Sequence, residues 1–286
     1  MGIVPGPLVA APEPLRRRYG LLTAASGPLD LPPHGQGGGV RYVPVSCGEA
    51  HPYPIGCYGG QVEVPEGGKP VDSENVEVEA GPFMVVASIE CGAVGYTGTE
   101  FEAKVRRRLA NGEQGAVELA LWTGEDPDGN TLDIASLSDT AETVTPDDDA
   151  TLEGIVSALE AYAYQEQGYG SVAYIHAPVS VAAYAAEAMQ IVQDGPLMRT
   201  PYGSIWVFGG GYPGTGAAGA PPSPGGAYLH VTGQVTVWRA PSEHVYPADQ
   251  TMDRAHNQRL LVAEREFAVG FDCLNGRALF NPDLGA

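Results

Sequence analysis

The feature that most constrains this sequence is a long amphipathic segment between Thr97 and Trp122. Thr97, with Glu100 three residues later, matches the capping box that begins a helix. At about 1.5 Å per residue, roughly 25 residues give a helix about 37 Å long, which ends at Gly124. Its apolar side chains recur mainly at three- and four-residue steps, at Phe101, Val105, Leu109, Ala116, Leu119 and Ala120.

The first 40 residues lack any such period. Prolines recur through them, and the glycine run Gly37–Gly39 follows. Because proline removes a backbone donor and glycine raises the entropy cost of ordering, this segment is not expected to fold alone. We predict an extended arm over residues 1–40 that becomes ordered only where a partner supports it. The totals of 39 Gly and 25 Pro also favour long irregular segments attached to an ordinary core.

Alternation of period two on both sides of a Gly/Pro-rich turn predicts a β-hairpin. Polar residues and valines alternate strictly over residues 61–64 and again over residues 76–79. Residues 65–70 interrupt the pattern. The valine face is narrow, and a two-stranded hairpin is marginally stable alone in water. We therefore expect this hairpin to project from the body and to lie on another surface.

The remaining segments alternate between helix and strand patterns. Their order predicts an α+β fold of two intertwined lobes with arms attached. The predicted helices cover residues 149–165, 180–193 and a short stretch at 253–264. The predicted strands cover residues 83–89, 171–176, 204–208, 228–232, 234–239 and 266–271, with a Gly/Pro-rich loop at 209–226.

The charge of the chain is strongly acidic. It has 35 acidic and 15 basic residues, for a net charge of −20. Affinity for phosphate backbones depends on Lys and Arg, so sequence-specific nucleic acid binding is not expected. The sequence has no run of 18 apolar residues and no charged-then-apolar signal segment, so neither membrane insertion nor secretion is expected. The default location is the cytoplasm of the producing cell.

Four cysteines are too few and too scattered for a disulfide framework. Cys47 and Cys57 lie close in sequence, with His34 and His51 nearby. Three interpretations stay open for them: chance, a local disulfide or a metal site. Their spacing matches no standard zinc finger, so no metal is expected. Cys91 and Cys273 lie beside apolar strands and are expected to be small buried hydrophobic residues.

Three features resemble enzyme sites but lack the required context. Gly209–Gly214 fits the dinucleotide pattern G-x-G-x-x-G, but prolines follow it where a helix would have to begin. His176 lies between a strand and a helix without a serine in a G-x-S-x-G turn. Asp147–Asp149 is interpreted as charge at a helix start. We expect no catalytic residue and no cofactor.

The order of these elements resembles the Hong Kong 97-type capsid fold of tailed phages. In that family an N-arm, an extended E-loop and a spine helix follow one another in this way. Glu118, Leu121 and Gly124 stand where relatives often carry a Glu-x-x-x-Leu-x-Gly-like stretch at the end of the spine helix. Other segments resemble the A-domain of the family, at residues 171–184 and 197–216, or the P-domain strands of actinobacterial-phage capsid proteins, at 227–240 and 257–273.

The resemblance implies a structural protein and not an enzyme. Such a chain would self-assemble into hexamers and pentamers of an icosahedral phage head around double-stranded DNA. It would be a virion component assembled in the host cytoplasm, with a separate scaffolding protein and a portal as partners and a decoration protein as a further candidate. No fused, cleaved scaffolding domain is expected. The implied regions are the N-arm (1–40), the E-loop (41–82), the P-domain with the spine helix (83–150), mainly the A-domain (151–226) and P-domain strands (227–286).

Two arginine clusters are predicted to contact neighbouring subunits. They are Arg16, Arg17 and Arg18 in the arm and Arg106, Arg107 and Arg108 on the long helix. Some relatives also form Lys–Asn isopeptide bonds between the E-loop and the P-domain. Here Lys69, at the predicted hairpin tip, would supply the lysine, with Asn257, Asn275 and Asn281 as candidate acceptors.

Three other functions fit parts of the sequence. A shell protein of an encapsulin-like nanocompartment shares the fold implied by the resemblance. Another virion protein, such as a tail-tube or decoration protein, is disfavoured by the two long predicted helices. A soluble hydrolase or nucleotide-binding enzyme would need a convergent polar pocket, which these residues do not assemble.

Overall fold

A computed structural model describes residues 18–33, 37–47, 77–92, 97–146, 151–222, 224–246, 252–253 and 258–282. Its α-helices are α1 (Leu21–Ala24), α2 (Gly98–Thr123), α3 (Leu137–Thr140), α4 (Leu152–Ala161) and α5 (Ala182–Glu187). A π-helical turn at Tyr162–Glu166 continues α4, and 3₁₀ turns cover Val179–Val181 and Ala217–Gly219. The strands are β1 (Ser26–Asp30), β2 (Val40–Tyr42), β3 (Val78–Ala80), β4 (Pro82–Gly92), β5 (Glu142–Thr143), β6 (Tyr174–Pro178), β7 (Val192–Asp194), β8 (Leu197–Arg199), β9 (Ile205–Gly209), β10 (Ala227–Thr232), β11 (Val235–Arg239), β12 (His244–Val245), β13 (Met252–Asp253), β14 (Gln258–Phe271) and β15 (Asn275–Phe280).

Helix α2 has both of the predicted caps. The Thr97 hydroxyl accepts a hydrogen bond from the Glu100 N–H at 3.4 Å, and the Thr97 N–H donates to Glu100 Oε2 at 2.8 Å. At the other end Gly124 has a φ of 69° and donates its N–H to the Ala120 carbonyl. Glycine adopts this left-handed conformation without a Cβ clash, so the helix ends here. The sequence prediction for this helix is confirmed.

The first lobe is a six-stranded sheet with α2 packed on one face. Strand β14 is its centre and pairs antiparallel with β4, from Gln258 opposite Gly92 to Ala268 opposite Pro82. Strand β11 pairs with the other end of β14, and β1 joins β11 in parallel. Alternate side chains of these strands point at α2. The core between them includes Phe83, Val85, Phe101, Val105, Leu109, Leu261 and Phe267.

The second lobe is a seven-stranded sheet in the order β5-β15-β10-β6-β9-β8-β7. Helix α4 covers it, and its core includes Ile155, Leu159, Ile175, Trp206 and Leu229. Strands β10 and β15 come from residues 227–286, the region assigned to P-domain strands from the sequence. That region therefore divides between the two sheets, because the chain passes from β10 in one sheet to β11 in the other through Gly233.

The predicted helix at 253–264 is wrong: residues 258–271 form the 14-residue strand β14. Within it Leu261 and Ala263 are buried, whereas Leu260 is exposed, which is the period of a strand. Pairing along the whole of β4 outweighs the local helical preference of this segment.

The predicted helix at 180–193 is too long. Helix α5 ends at Glu187, and Met189 then adopts a φ of 52°. Strands β7 and β8 form a hairpin turned at Gly195, which has a φ of 58°. Residues 192–193 therefore belong to an edge strand and not to the helix.

The predicted arm is folded on its own chain between residues 21 and 31. Leu21 and Leu31 are buried, and Leu29 of β1 lies opposite Trp238 of β11. The expectation that the whole of residues 1–40 needs a partner to become ordered is therefore wrong for this part. Parallel pairing with β11 provides hydrogen-bond partners for backbone groups of this segment that would otherwise bond to water. Residues 1–17 lie outside the described part.

Candidate functional site

Tyr42 and Val78, on either side of residues 43–77, lie next to each other in the first lobe. Strands β2 and β3 pair antiparallel, with Val40 opposite Ala80 and Tyr42 opposite Val78. They cover one end of the sheet face that points away from α2, where the Tyr42 ring lies 5.4 Å from that of Trp238. This pairing forms the base of the excursion predicted as an E-loop. Its alternating limb at Gln61–Val64 and its tip lie outside the described residues.

Beyond that cover, the same sheet face carries an apolar strip, which we call the outer strip: Met84, Val86 and Leu260. Phe83 and Val85 point at α2, so the alternate residues Met84 and Val86 point away from it. The three side chains are 49%, 55% and 43% exposed. Glu266 and Glu264 stand opposite Met84 and Val86 on β14. The outer strip is thus an apolar surface bordered by carboxylates.

A fully buried carboxylate joins three parts of the chain. Glu118 of α2 accepts hydrogen bonds from the Leu21 N–H at 3.1 Å and from the Gly211 N–H at 2.8 Å. Gly211 lies so close to α2 that a Cβ there would collide with the Gly115 carbonyl. Gly211, the third residue of the G-x-G-x-x-G pattern, thus serves close packing against α2. The nearest following helical element is the short turn Ala217–Gly219, so no helix N-terminus faces a phosphate here.

Two buried histidines lie opposite each other on the paired strands β6 and β10. His176 Nε2 lies 2.9 Å from the Thr232 hydroxyl, which donates its own hydrogen to the Gly233 carbonyl. His176 Nε2 must therefore carry the proton, and Nδ1 accepts from the Tyr212 hydroxyl at 2.9 Å. His176 is a structural residue of the junction between α2 and the second sheet.

His230 has the opposite arrangement of protons. The Asn275 amide donates to the Leu137 carbonyl and the Thr140 hydroxyl, so its Oδ1 faces His230 Nδ1 as an acceptor. His230 Nδ1 therefore carries the proton, and Nε2 has no hydrogen-bond partner among the described residues. The ring packs edge-to-face on Trp122 at 4.7 Å.

Burial keeps both imidazoles neutral. It lowers the pKa of His176 to about 3, with a smaller contribution from the neighbouring His230. Burial also lowers the pKa of His230 to about 3, against the opposing effect of its hydrogen bond to Asn275. Burial, followed by the charge of Glu118, raises the pKa of Tyr212. The phenol stays protonated, so it remains a donor to His176.

An ion-pair network links α2 to the first sheet. Arg265 Nη1 lies 2.7 Å from Glu113 Oε1, and Arg239 lies 3.6 Å from the other oxygen of this buried carboxylate. Glu243 joins the network by pairing with both Arg265 and Arg106. Partial burial raises the pKa of Glu243, but hydrogen bonds from its backbone, Arg106 and Arg265 outweigh this effect and lower the pKa to about 2.

The arginines predicted on the long helix have different partners. Arg106 pairs with Glu243, and Arg108 donates to the Ser88 carbonyl of β4 at 2.6 Å. Arg106, Arg107 and Arg108 are all exposed. Arg106 and Arg108 thus make these contacts within the subunit, while the role of all three arginines between subunits stays a prediction.

Of the other predicted contact residues, Arg18 is exposed at the start of the described chain. Asn275 is a poor isopeptide acceptor, because its side chain is buried and bonded on both sides. Outside the described part lie Arg16, Arg17, Lys69 and Asn257.

The cysteine predictions need correction. Cys47 is disulfide-bonded to Cys273, with their Cα atoms 5.9 Å apart, so Cys47 does not pair with Cys57 or bind metal. Cys273 is not a buried hydrophobic residue: it is exposed in the turn between β14 and β15. Cys57 and the side chain of Cys91 lie outside the described part. Among the described residues no group of His, Cys, Asp and Glu is arranged to hold a metal, and no helix is long and apolar enough to span a membrane.

Sequence analysis missed Glu118 as a buried anchor and Cys273 as a disulfide partner. Glu118 stands between apolar positions of the long helix, and a carboxylate there is a signal for a buried hydrogen-bond acceptor. Cys273 follows Asp272 at the end of a strand, so its place in a turn was visible. Its partner lies 226 residues away and only the tertiary fold brings the two together.

The buried histidine pair predicts how the free energy of unfolding depends on pH. The folded chain keeps both rings neutral, whereas the unfolded chain protonates them below about pH 6.5. The free energy of unfolding should be highest above that pH and fall on acidification toward pH 3, by about 1.4 kcal/mol per pH unit for each histidine. Urea unfolding at pH 7, 6 and 5 measures this fall. His230→Gln should remove roughly half of it, and the exposed control His244→Gln should leave it unchanged. An unaltered pH dependence in His230→Gln would contradict the assignment.

The ion-pair network makes a stability prediction. Arg265→Met should lower the free energy of unfolding by about 2–4 kcal/mol, because Glu113 is buried and loses its closest cation. Arg41→Met is the matched control, since the Arg41–Glu77 pair is exposed and should contribute less than about 1 kcal/mol. Denaturant midpoints at pH 7 compare the two variants. Equal losses would show that the network adds nothing beyond a surface pair.

No protein-family model and no curated protein matches the sequence. Solved structures match over nearly the whole chain. The capsid of an empty GTA particle aligns with 97% of this chain and 95% of its own, at a TM-score of 0.58 and 14% identity. A protein chain in the structure of Gordonia phage Cozz aligns with 93% of this chain and with 87% of its own length, at a TM-score of 0.52 and 12% identity.

A third match is the capsid of Myoviridae phage XM1. It aligns with 98% of this chain and 99% of its own, at a TM-score of 0.50 and 11% identity. At sequence identities this low, the matches show that the folds are alike and nothing more. The chain therefore has the α+β fold of tailed-phage capsid proteins, the Hong Kong 97-type fold that the order of its elements predicted.

Proposed function

We propose that this chain is the major capsid protein of a tailed bacteriophage. It assembles into hexamers and pentamers of an icosahedral head that encloses double-stranded DNA, and it has no catalytic role. The observation that carries the proposal is the full-length likeness to the capsid of the GTA particle, which covers 97% of this chain. A likeness over 97% of the chain leaves little of it for a separate activity.

The outer strip supports assembly. Met84, Val86 and Leu260 form an apolar surface on a sheet whose neighbouring part is already covered by β2 and β3. Burying such a surface between subunits releases about 25 cal/mol per Å². We propose that a neighbouring copy covers the outer strip, with the E-loop (41–82) as the covering element. The other regions follow as an N-arm at 1–40, a P-domain at 83–150 and 227–286, and mainly an A-domain at 151–226.

The net charge of −20 is consistent with a shell protein that encloses DNA without binding it tightly. It also opposes assembly, because acidic copies repel one another. A separate scaffolding protein would offset that repulsion, and a portal and a decoration protein complete the proposed partners. The proposed contacts to acidic neighbours are Arg16, Arg17, Arg18, Arg106, Arg107 and Arg108. A crosslink through Lys69 is proposed only with an acceptor other than Asn275.

Electron microscopy of the purified chain, with and without its scaffolding protein, tests the proposal. We expect capsomers or closed shells, and more of them as salt is raised from about 0.05 to 0.5 M, since screening weakens repulsion between subunits. A chain that stays monomeric under all these conditions would refute the proposal. Particles purified from cells should contain DNA; a protein cargo in place of DNA would favour the nanocompartment alternative.

Two substitutions at one position test the outer strip. Val86→Asp should abolish shell formation or reduce it at least tenfold, because it places a charge in the proposed interface next to Glu264. Val86→Thr keeps the shape and the strand preference and should still assemble. Val86 is exposed, so Val86→Thr should unfold within about 0.5 kcal/mol of the wild type. Val86→Asp should lose about 1–2 kcal/mol, because aspartate is disfavoured in strands and repels Glu264, but the subunit should remain folded. Light scattering follows assembly, and normal assembly of Val86→Asp would place the interface elsewhere.

A further inference from the structure

The segment Tyr42–Cys47, which we call the strap, crosses the joint between the two lobes. Its first residue, Tyr42, packs on Trp238 of the first sheet. The Ser46 carbonyl accepts a hydrogen bond from the Gly170 N–H of the second lobe at 3.5 Å. Cys47 is bonded to Cys273, in the turn that carries the chain from β14 of the first sheet to β15 of the second. Within six residues the strap contacts both lobes and their connection.

Beyond Pro44, the described contacts of the strap are the Ser46 carbonyl with Gly170, the Ser46 side chain with Tyr169 and the bond of Cys47. Pro44 is buried, but Val43 is 51% exposed and Val45 is 97% exposed. The hydrogen bond at Ser46 is long for an N–H donor and an oxygen acceptor. The Cys47–Cys273 bond is the one covalent contact among these. Residues 48–76 of the proposed E-loop follow directly in sequence, so this bond fixes the last described residue before them.

We propose that Cys47 and Cys273 form a clasp that is set by oxidation. The two residues are thiols while the shell assembles in the reducing cytoplasm, and they become a disulfide when the particle meets oxidising surroundings. The change of compartment rests on the proposed function. Cytoplasmic thiol systems keep cysteines reduced, and disulfides persist outside the cell. Cys273 is exposed and Cys47 is half-buried, so a small oxidant can reach them.

The chemistry needs only a small-molecule disulfide of the glutathione type. One cysteine thiolate attacks it, forms a mixed disulfide and releases one small thiol. The other cysteine thiolate then attacks the mixed disulfide, which forms the Cys47–Cys273 bond and releases the second small thiol. The protein loses two protons and two electrons, and the oxidant gains them as two thiols.

The reduced and the oxidised strap have different consequences for the shell. A reduced strap leaves the base of the E-loop free to adjust while subunits find their positions. The oxidised strap then ties that base to the joint of the lobes across 226 residues of sequence. Cross-links that close long loops restrict the unfolded chain most in the chain-entropy model, so the bond should stabilise the finished particle.

Trapping with a thiol-alkylating reagent tests the timing. Cells that produce particles are lysed in N-ethylmaleimide, and peptides are mapped by mass spectrometry. We expect alkylated Cys47 and Cys273 at lysis, and a linked peptide pair containing both residues after purified particles are treated with oxidised glutathione. A Cys47–Cys273 pair already complete at lysis, or a Cys47–Cys57 pair after oxidation, would overturn the proposal.

Two matched variants test the consequence. Oxidised particles of Cys273→Ser should melt roughly 5–10 °C below the wild type, and reduction of wild-type particles should give a similar shift. Cys57→Ser is the control, because it removes a cysteine of the same excursion and should leave the melting midpoint unchanged. Equal midpoints for Cys273→Ser and the wild type would overturn the clasp.

Electron microscopy of the same samples separates this inference from the proposed function. Shells of normal shape in Cys273→Ser, with or without a melting shift, leave the proposed function standing. A failure of the wild type to form any shell would refute the proposed function, while peptide mapping of the oxidised chain would still show whether the bond forms.

Discussion

The carboxylate of Glu118 is the interaction on which the two-lobed arrangement depends. A charge without exposure to water is stable only if hydrogen bonds replace its hydration, and here backbone N–H groups come from the folded part of the arm and from the loop after β9. Neither segment is adjacent to α2 in sequence. The helix therefore positions both of them, and the loop in turn places Tyr212 against His176.

The same helix connects the lobes in two chemically different ways. Toward the first sheet, its N-terminal half packs Phe101, Val105 and Leu109 into an apolar core and carries the ion pairs of Glu113. Toward the second sheet, its last turns present Glu118 and Trp122, which meet a polar network of histidine, tyrosine and threonine. Because β10 and β11 are consecutive strands of different sheets, the two sheets are also joined directly through the chain at Gly233.

Sequence reasoning succeeded where local physics and the fold agreed. The capping residues of α2 and the apolar runs of β4 and β9 carry their own signals, so these elements were predicted closely. Prediction from the sequence failed where contacts between segments distant in sequence determine the local structure. Leu261 and Ala263 belong to a strand only because β4 lies beside them, and Leu21 orders the arm only because Glu118 accepts its N–H. The pairing of Cys47 with Cys273 is equally non-local.

The folding of residues 21–31 onto their own chain bears on the shell interpretation. Had the arm closed over a polar pocket, a ligand site would have been the simpler explanation. Instead it packs on α2 and extends the first sheet through β1, and the outer strip and the strap valines remain in water. The described part of the subunit thus leaves apolar side chains exposed on its strands beside carboxylates. In the proposed shell, association between copies would have to gain enough free energy from covering those strands to overcome the repulsion of a chain with a net charge of −20.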